Sequence, residues 1–274
     1  MQPSILGPRI LYGTAWKKGR TEALVSAAIQ QGFRGIDTAC QPKHYFEAGV
    51  GAAVAASLGD SLKRSDFYLQ TKFTPVSGQD PKQIPYDKTA PLTDQVMQSF
   101  YASRLNLQTG YVDCLVLHSP LPEFEQTLEA WRSMEQIFDS GGARQLGISN
   151  CYQLDELEAL CQETRVKPAV VQNRFYAETG YDREIRAFCR AHGIVYQSFW
   201  TLTANPALLA SRVIKSLAAS YGRTPAQVLF RFLTQEGVVP LTGTKSEAHM
   251  QEDLAIFEFQ LSAAERSQIQ ALLQ

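Results

Sequence analysis

The chain has 274 residues, 45% of them hydrophobic, enough to bury a large core as one α/β domain or two smaller ones. Its 26 lysines and arginines against 27 aspartates and glutamates leave a formal charge of -1, so no global field favours nucleic acid or an anionic membrane. No apolar run reaches the ~20 residues that span a bilayer, the first residues lack the basic-then-apolar order of a secretion signal, and the five cysteines form no C-x-x-C pair. These features predict a cytoplasmic protein with reduced thiols and no metal, a monomer or weak oligomer whose partner is a small molecule.

Short apolar runs alternate with stretches of helical period from end to end. In chain order the sequence predicts a strand at 10–12, a helix at 20–31, a strand at 35–36, a helix at 47–58, a strand at 67–71 and a helix at 93–106. There follow a strand at 112–117, a helix at 124–139, a strand at 145–148, a helix at 153–163, a strand at 169–171 and a helix at 181–192. The last third reads as a strand at 194–196, a helix at 207–221 joined to 225–235, a strand at 238–241, a helix at 246–254 and a closing helix within 261–273. Gly32, Gly193 and Gly237 follow helical runs as C-terminal caps do, while Thr93, Asp182 and Thr224-Pro225 stand near helix starts. The Pro-rich segment 73–92 is too long for an ordinary strand-to-helix loop and is expected to be functional or mobile.

Continuous apolar strands separated by helices imply parallel strands covered on both faces. Strand then helix, repeated eight times, predicts a single-domain (β/α)8 TIM barrel over 1–274 with a C-terminal helix, the alternative being an open doubly wound sheet. No G-x-G-x-x-G follows the first strand, which favours the barrel. In such a barrel the C-terminal ends of the strands converge on one mouth. The polar residues at those ends are Asp37, Lys72, His118, Ser149 with Asn150, and Gln172 with Asn173. Taken singly, each could be a turn-forming or capping residue; their convergence argues for a site.

With these residues in place, the sequence resembles the aldo-keto reductase family over essentially its whole length. The resemblance is carried by G-I-D-T-A at 35–39, T-K-F at 71–73, L-H-S-P at 117–120, G-I-S-N-C at 147–151, V-Q-N at 171–173 and G-T-K-S at 243–246. It implies reduction of an aldehyde or ketone by a nicotinamide cofactor, with Asp37, Tyr45, Lys72 and His118 as the catalytic tetrad. A carbonyl receiving hydride needs a proton donor at its oxygen. A phenol serves if a neighbouring ammonium lowers its pKa, and Asp37 would compensate that ammonium, Lys72. The resemblance further places Ser149, Asn150 and Gln172 at the carboxamide; where the family stacks an aromatic on the nicotinamide this chain has Gln197 in register, so Phe199, with Ser198 beside it, is the expected platform, and Gly243 and Thr244 stand at an expected helix start able to receive phosphate. Lys245 and Ser246 would reach a ribose phosphate, favouring NADP(H) over NAD(H), with His249 and Asp253 nearby.

The chain departs from the family's spacing. The family's tyrosine comes five residues after the aspartate, where this chain has Pro42; Tyr45 comes eight after Asp37, and counting back from Val50-Gly51 aligns His44 instead. Coupling to Lys72 favours Tyr45, since an imidazolium there would be repelled. His44, Trp16 and Trp200 are then expected on the substrate side, with 73–92 as a movable wall. A cofactor-binding sensor on the same barrel is the rival reading, and a hydrolase or lyase using Asp37 and His118 a more distant one.

Overall fold

The structure, a computed structural model, describes residues 7–273; the remainder of the predicted 1–274 domain lies outside the described residues. Eight strands run β1 Leu11–Gly13, β2 Gly35–Asp37, β3 Tyr68–Phe73, β4 Cys114–Leu117, β5 Leu146–Ser149, β6 Val170–Arg174, β7 Val195–Phe199 and β8 Val238–Thr242. All pair in parallel in chain order, and β8 returns to β1 through Leu11 opposite Leu241, closing the barrel. The open-sheet alternative is thereby excluded.

Around the barrel lie α1 Thr21–Gln31, α2 Glu47–Ser57, α3 Leu92–Asn106, α4 Phe124–Asp139, α5 Leu154–Glu163, α6 Arg183–His192, α7 Pro206–Ala210, α8 Arg212–Tyr221, α9 Pro225–Gln235, α10 Glu247–Leu254 and α11 Ala263–Gln270. None is long and apolar enough to cross a membrane among the described residues. The predicted 207–221 helix is divided at Ser211, which is extended and accepts the amide of Ile214, starting α8 afresh. Thr224 caps α9 reciprocally with Gln227, and Gly32 and Gly193 take the left-handed conformation that ends α1 and α6. Thr93 lies inside α3 rather than capping it, and Asp182 turns its carboxylate to Asn173 and Tyr196 instead of the α6 amides.

Several strands extend further than their apolar runs. Side chains alternate across a strand, so residues two apart share a face. On the inward face Tyr68, Cys114, Val170 and Val195 form the lower layer, an apolar plug that includes Val116. Above it β3, β6 and β7 place Gln70, Gln172 and Gln197, all buried. One step higher the same strands carry Lys72, Arg174 and Phe199, with His118 just past β4. The outer face of the barrel packs a large apolar core against the helices, including Trp131, Phe230 and Phe232. A polar upper layer ends the apolar pattern early in sequence, though the hydrogen-bonded ladder continues.

Segment 73–92 is tied down. Tyr86 Oη donates to the Thr74 carbonyl at 2.6 Å and its ring packs 5.7 Å from Phe73. Gln79 Nε2 bridges the carbonyls of Cys40 and Thr74, and Gln41 Nε2 holds the Gly78 carbonyl. None of these residues lines the cleft described below, so the expected movable wall is instead a buttress beneath it.

Candidate active site

A cleft of about 800 Å³ opens over the strand ends, lined among others by Trp16, Asp37, His44, Tyr45, His118, Ser149, Asn150, Gln172, Phe199, Trp200, Lys245 and Asp253. A separate hollow of about 350 Å³ near Tyr152 and Arg183 holds none of the strand-end residues that face this mouth. Three non-glycine residues around the main cleft have positive φ: Trp16 at 63°, Asn150 at 54° and Trp200 at 55°. For tryptophan this is a costly conformation, of the kind concentrated at functional sites.

At the floor, Lys72 Nζ donates to Asp37 Oδ1 at 2.6 Å and to the Thr38 carbonyl at 2.8 Å. Both side chains are buried. Asp37 Oδ1 also accepts from Gln70 Nε2 at 2.8 Å and Gln172 Nε2 at 3.0 Å. Gln197 Oε1 accepts from those same two nitrogens, and Gln197 Nε2 donates back to Gln70 Oε1. A carboxylate only accepts, so it fixes which end of Gln70 and Gln172 faces it, and the third glutamine follows. The ion pair thus sits in a closed amide network, the compensation a buried pair requires.

The turn before α2 directs His44 and Tyr45 differently. The amides of both converge on the Gln41 carbonyl, at 3.1 and 3.0 Å. This winding turns Tyr45 inward, its ring centroid 5.3 Å from Lys72 Nζ and 6.0 Å from the His118 ring. His44 turns outward and stacks on Trp16 with centroids 3.7 Å apart. Glu47 anchors the turn from the first residue of α2, its buried carboxyl bound by Thr71 Oγ1 and Ser103 Oγ, so the helix start is tied to the residue beside Lys72.

The phenol is not activated as the sequence suggests. Burial, reinforced by the Asp37 carboxylate, raises the Tyr45 pKa above its usual value. His118 is driven well below its ordinary value by burial and then by Lys72 and His44, which makes it a neutral imidazole. Its Nδ1 lies 2.6 Å from Thr74 Oγ1. Burial pushes the Cys40 thiol up to about 12, so it is no nucleophile at neutral pH.

Ser149 and Asn150 do not cap α5, whose N-cap is Gln153. Ser149 Oγ donates to the Gln172 carbonyl at 2.7 Å, and Asn150 Nδ2 donates to the His118 carbonyl at 2.8 Å. With Gln172 Nε2 engaged below, the donors of all three side chains point into protein. Asn150 Oδ1 accepts from Tyr152 Oη at 3.2 Å, so what is left without a protein partner is the Gln172 oxygen, not the mixture of donors and acceptors expected. Phe199 lines the cleft, whereas Ser198, the next residue back, faces the other side of the strand and accepts from Thr201 Oγ1.

The far end departs from expectation at the helix. Gly243 and Thr244 precede α10 by several residues and do not open it; Ser246 is its N-cap, with Oγ accepting the His249 amide. Lys245 and His249 are exposed on the cleft. Asp253 is buried there, accepting from Thr242 Oγ1 at 2.6 Å, and burial lifts its carboxyl to about 6. Lys17, which sequence reasoning passed over, donates to the Gly243 carbonyl at 2.9 Å, and burial next to Lys245 lowers its ammonium to about 8. Gln70 and Arg174 were also missed, and Gln197, noted only for its register, was not expected in the amide network. The period-two alternation around Lys72, Gln172 and Phe199 is the signal that marks them.

The Aldo/keto reductase family model matches residues 10–274. Glyoxal reductase of Bacillus subtilis is 30% identical over 248 residues, covering 90% of this chain and 82% of that protein. Methylglyoxal reductase DkgA of Escherichia coli is 27% identical, covering 99% and 92%. The crystal structure of an aldo/keto reductase from Brucella melitensis superposes with a TM-score of 0.80 at 27% identity, over 97% of this chain and 95% of that one. This chain belongs to the aldo/keto reductase family.

Proposed function

We propose that the protein reduces an aldehyde or ketone to the alcohol with NADP(H), Tyr45 acting as the general acid. The observation that carries this reading is the stacking of the Tyr45 ring over the Asp37-compensated Lys72 ammonium, with His118 at its edge, in one cleft. The residues present suit a nicotinamide dinucleotide. The Gln172 oxygen, and the second lone pair of Asn150 Oδ1 beside its bond from Tyr152, match the N–H2 of a carboxamide, Phe199 offers an aromatic surface, and Lys245 supplies a cationic group at the opposite end with His249 beside it. NADP(H) is preferred on the strength of Lys245, against the opposing carboxylate of Asp253.

A bound reduced nicotinamide supplies the hydride. The chain does the rest. A phenol that holds its proton firmly is in the form a general acid needs, and releases it only as the carbonyl oxygen becomes alkoxide-like. The tyrosinate left behind faces an ammonium fixed by two acceptors, the Asp37 carboxylate and the Thr38 carbonyl, so little reorganisation is required. With Thr74 Oγ–H donating to Nδ1, neutral His118 presents Nε2–H to the substrate oxygen and orients it. Small 2-oxoaldehydes, named in the relatives' activities, are the first substrates to try.

Single-turnover oxidation of bound NADPH by methylglyoxal tests the proposal. Loss of the reduced-nicotinamide absorbance, slowed by roughly 10²–10⁴-fold in Tyr45→Phe with NADPH binding intact, is the expected result. Tight NADPH binding without oxidation by any of a panel of aldehydes would refute it.

A further inference from the structure

Arg174 occupies the upper inward layer of the barrel at the end of β6, opposite Phe199 in register and two residues beyond Gln172. It lines the same cleft as Tyr45 and His118. Its guanidinium carbon stands 4.2 Å over the Trp200 ring and 5.1 Å from that of Tyr176. No ion pair among the described residues includes it. Its Nε is buried with no hydrogen-bond partner.

That combination is unusual. A guanidinium carries five donors in a rigid fork, and buried donors are almost always satisfied. Here one is buried and unsatisfied while the fork leans on two aromatic faces and borders an open cleft. The aromatic faces stabilise the charge and fix the plane; they supply no acceptor. Trp200 is itself held in the left-handed region at φ 55°, a strained conformation for tryptophan. A cation preorganised in plane and unanswered by any described carboxylate is a receptor for an oxyanion, which a fork grips with two parallel hydrogen bonds.

From this we infer that Arg174 is an anion-binding and specificity-determining residue of the cleft, gripping an oxyanion group of a bound molecule. Two sources share that chemistry: a carboxylate carried on the carbonyl substrate, and the diphosphate of the dinucleotide. The inference rests on the reductase reading for the identity of those molecules.

The test uses the full chain with Arg174→Met, which keeps the length and apolar stem, and Arg174→Lys, which keeps the charge but not the fork. Thermal melting first establishes that each variant folds. NADPH is titrated by quenching of tryptophan fluorescence, and 4-carboxybenzaldehyde is compared with benzaldehyde at saturating NADPH. If the substrate carboxylate is the anion, the ratio of kcat/KM for the charged over the neutral aldehyde falls roughly tenfold or more in Arg174→Met, with partial return in Arg174→Lys. If the diphosphate is the anion, the NADPH Kd rises by a similar factor and the aldehyde ratio holds. A folded Arg174→Met with both quantities unchanged overturns the inference. Aldehyde binding is also followed by fluorescence quenching without turnover. A chain that binds the ligands but reduces neither aldehyde would therefore sink the reductase reading while still deciding the role of Arg174.

Discussion

Lys72 Nζ and Asp37 Oδ1 lie 2.6 Å apart, and that same oxygen takes two further hydrogen bonds from Gln70 and Gln172. One carboxylate oxygen therefore ties the ammonium beneath Tyr45 to the glutamine expected at the carboxamide. Removing either charge leaves the other buried without its partner, which costs about 3–5 kcal/mol. Lys72→Met and Asp37→Asn should each lower stability to urea by an amount of that order, and the double variant by less than the sum. All three should lose turnover. Equilibrium unfolding beside single-turnover kinetics checks this, and fully additive stability losses would mean that the pair is not coupled.

The Gln41 turn separates the two side chains, bringing Tyr45 over Lys72 and beside His118 while His44 stacks on Trp16. Tyr45→Phe removes the proposed acid and should lower the rate of carbonyl reduction by roughly 10²–10⁴-fold, the usual worth of a positioned proton donor. His44→Ala removes only the stack on Trp16 and should act mainly on KM. A Tyr45→Phe enzyme retaining most of its single-turnover rate would transfer the role elsewhere.

Much of this geometry was legible in the sequence, and the exceptions share a cause. Asp37, Lys72 and His118 stand out because a polar residue at the end of an apolar strand is conspicuous. Gln70 and Gln197 lie inside runs otherwise read as core, and the amide layer they form exists only once the barrel closes and brings β3, β6 and β7 together. Counting did not give the orientations of His44 and Tyr45, since these depend on a turn wound on one carbonyl. Segment 73–92 looked mobile from its length and prolines; the bonds of Tyr86 and Gln79 that hold it join residues that sequence order keeps apart. Gly243 and Thr244 read as a helix start because the Ser246 cap is a local choice of the backbone.

The pH dependence follows from two opposite displacements. As the proposed acid Tyr45 acts in its protonated form, and its value is raised above the usual 10.0, so on that proposal it contributes no loss of activity on the alkaline side below about pH 10. His118 must be neutral to present Nε2–H, and its value is pushed well below 6.5, so protonation does not silence it near neutrality. The kcat/KM profile for a neutral aldehyde should therefore be flat between about pH 6.5 and 9. An alkaline limb centred near pH 8 would show that Lys72 depresses the phenol despite its pairing with Asp37.

Asp253 supplies a test at the other end of the cleft. Burial raises its carboxyl from 3.8 to about 6, which means that between those values the folded chain holds a proton that the unfolded chain has released. Stability from this group is therefore full below the unfolded value and declines as pH rises through about 6. Asp253→Asn keeps an acceptor for Thr242 and removes the charge, so it should flatten that decline and stabilise the protein at pH 8 by up to about 3 kcal/mol, with little effect near pH 4. The same carboxylate opposes a phosphate brought in by Lys245. Asp253→Asn should tighten NADPH binding relative to NADH by roughly 5–10-fold at pH 8, the worth of about 1 kcal/mol. The wild-type chain should itself shift toward NADPH as pH falls from 8 to about 5. Unfolding curves at the two pH values, paired with fluorescence titrations of both cofactors, separate the effects. A variant that is stabilised but keeps the wild-type cofactor ratio would place the phosphate away from Asp253.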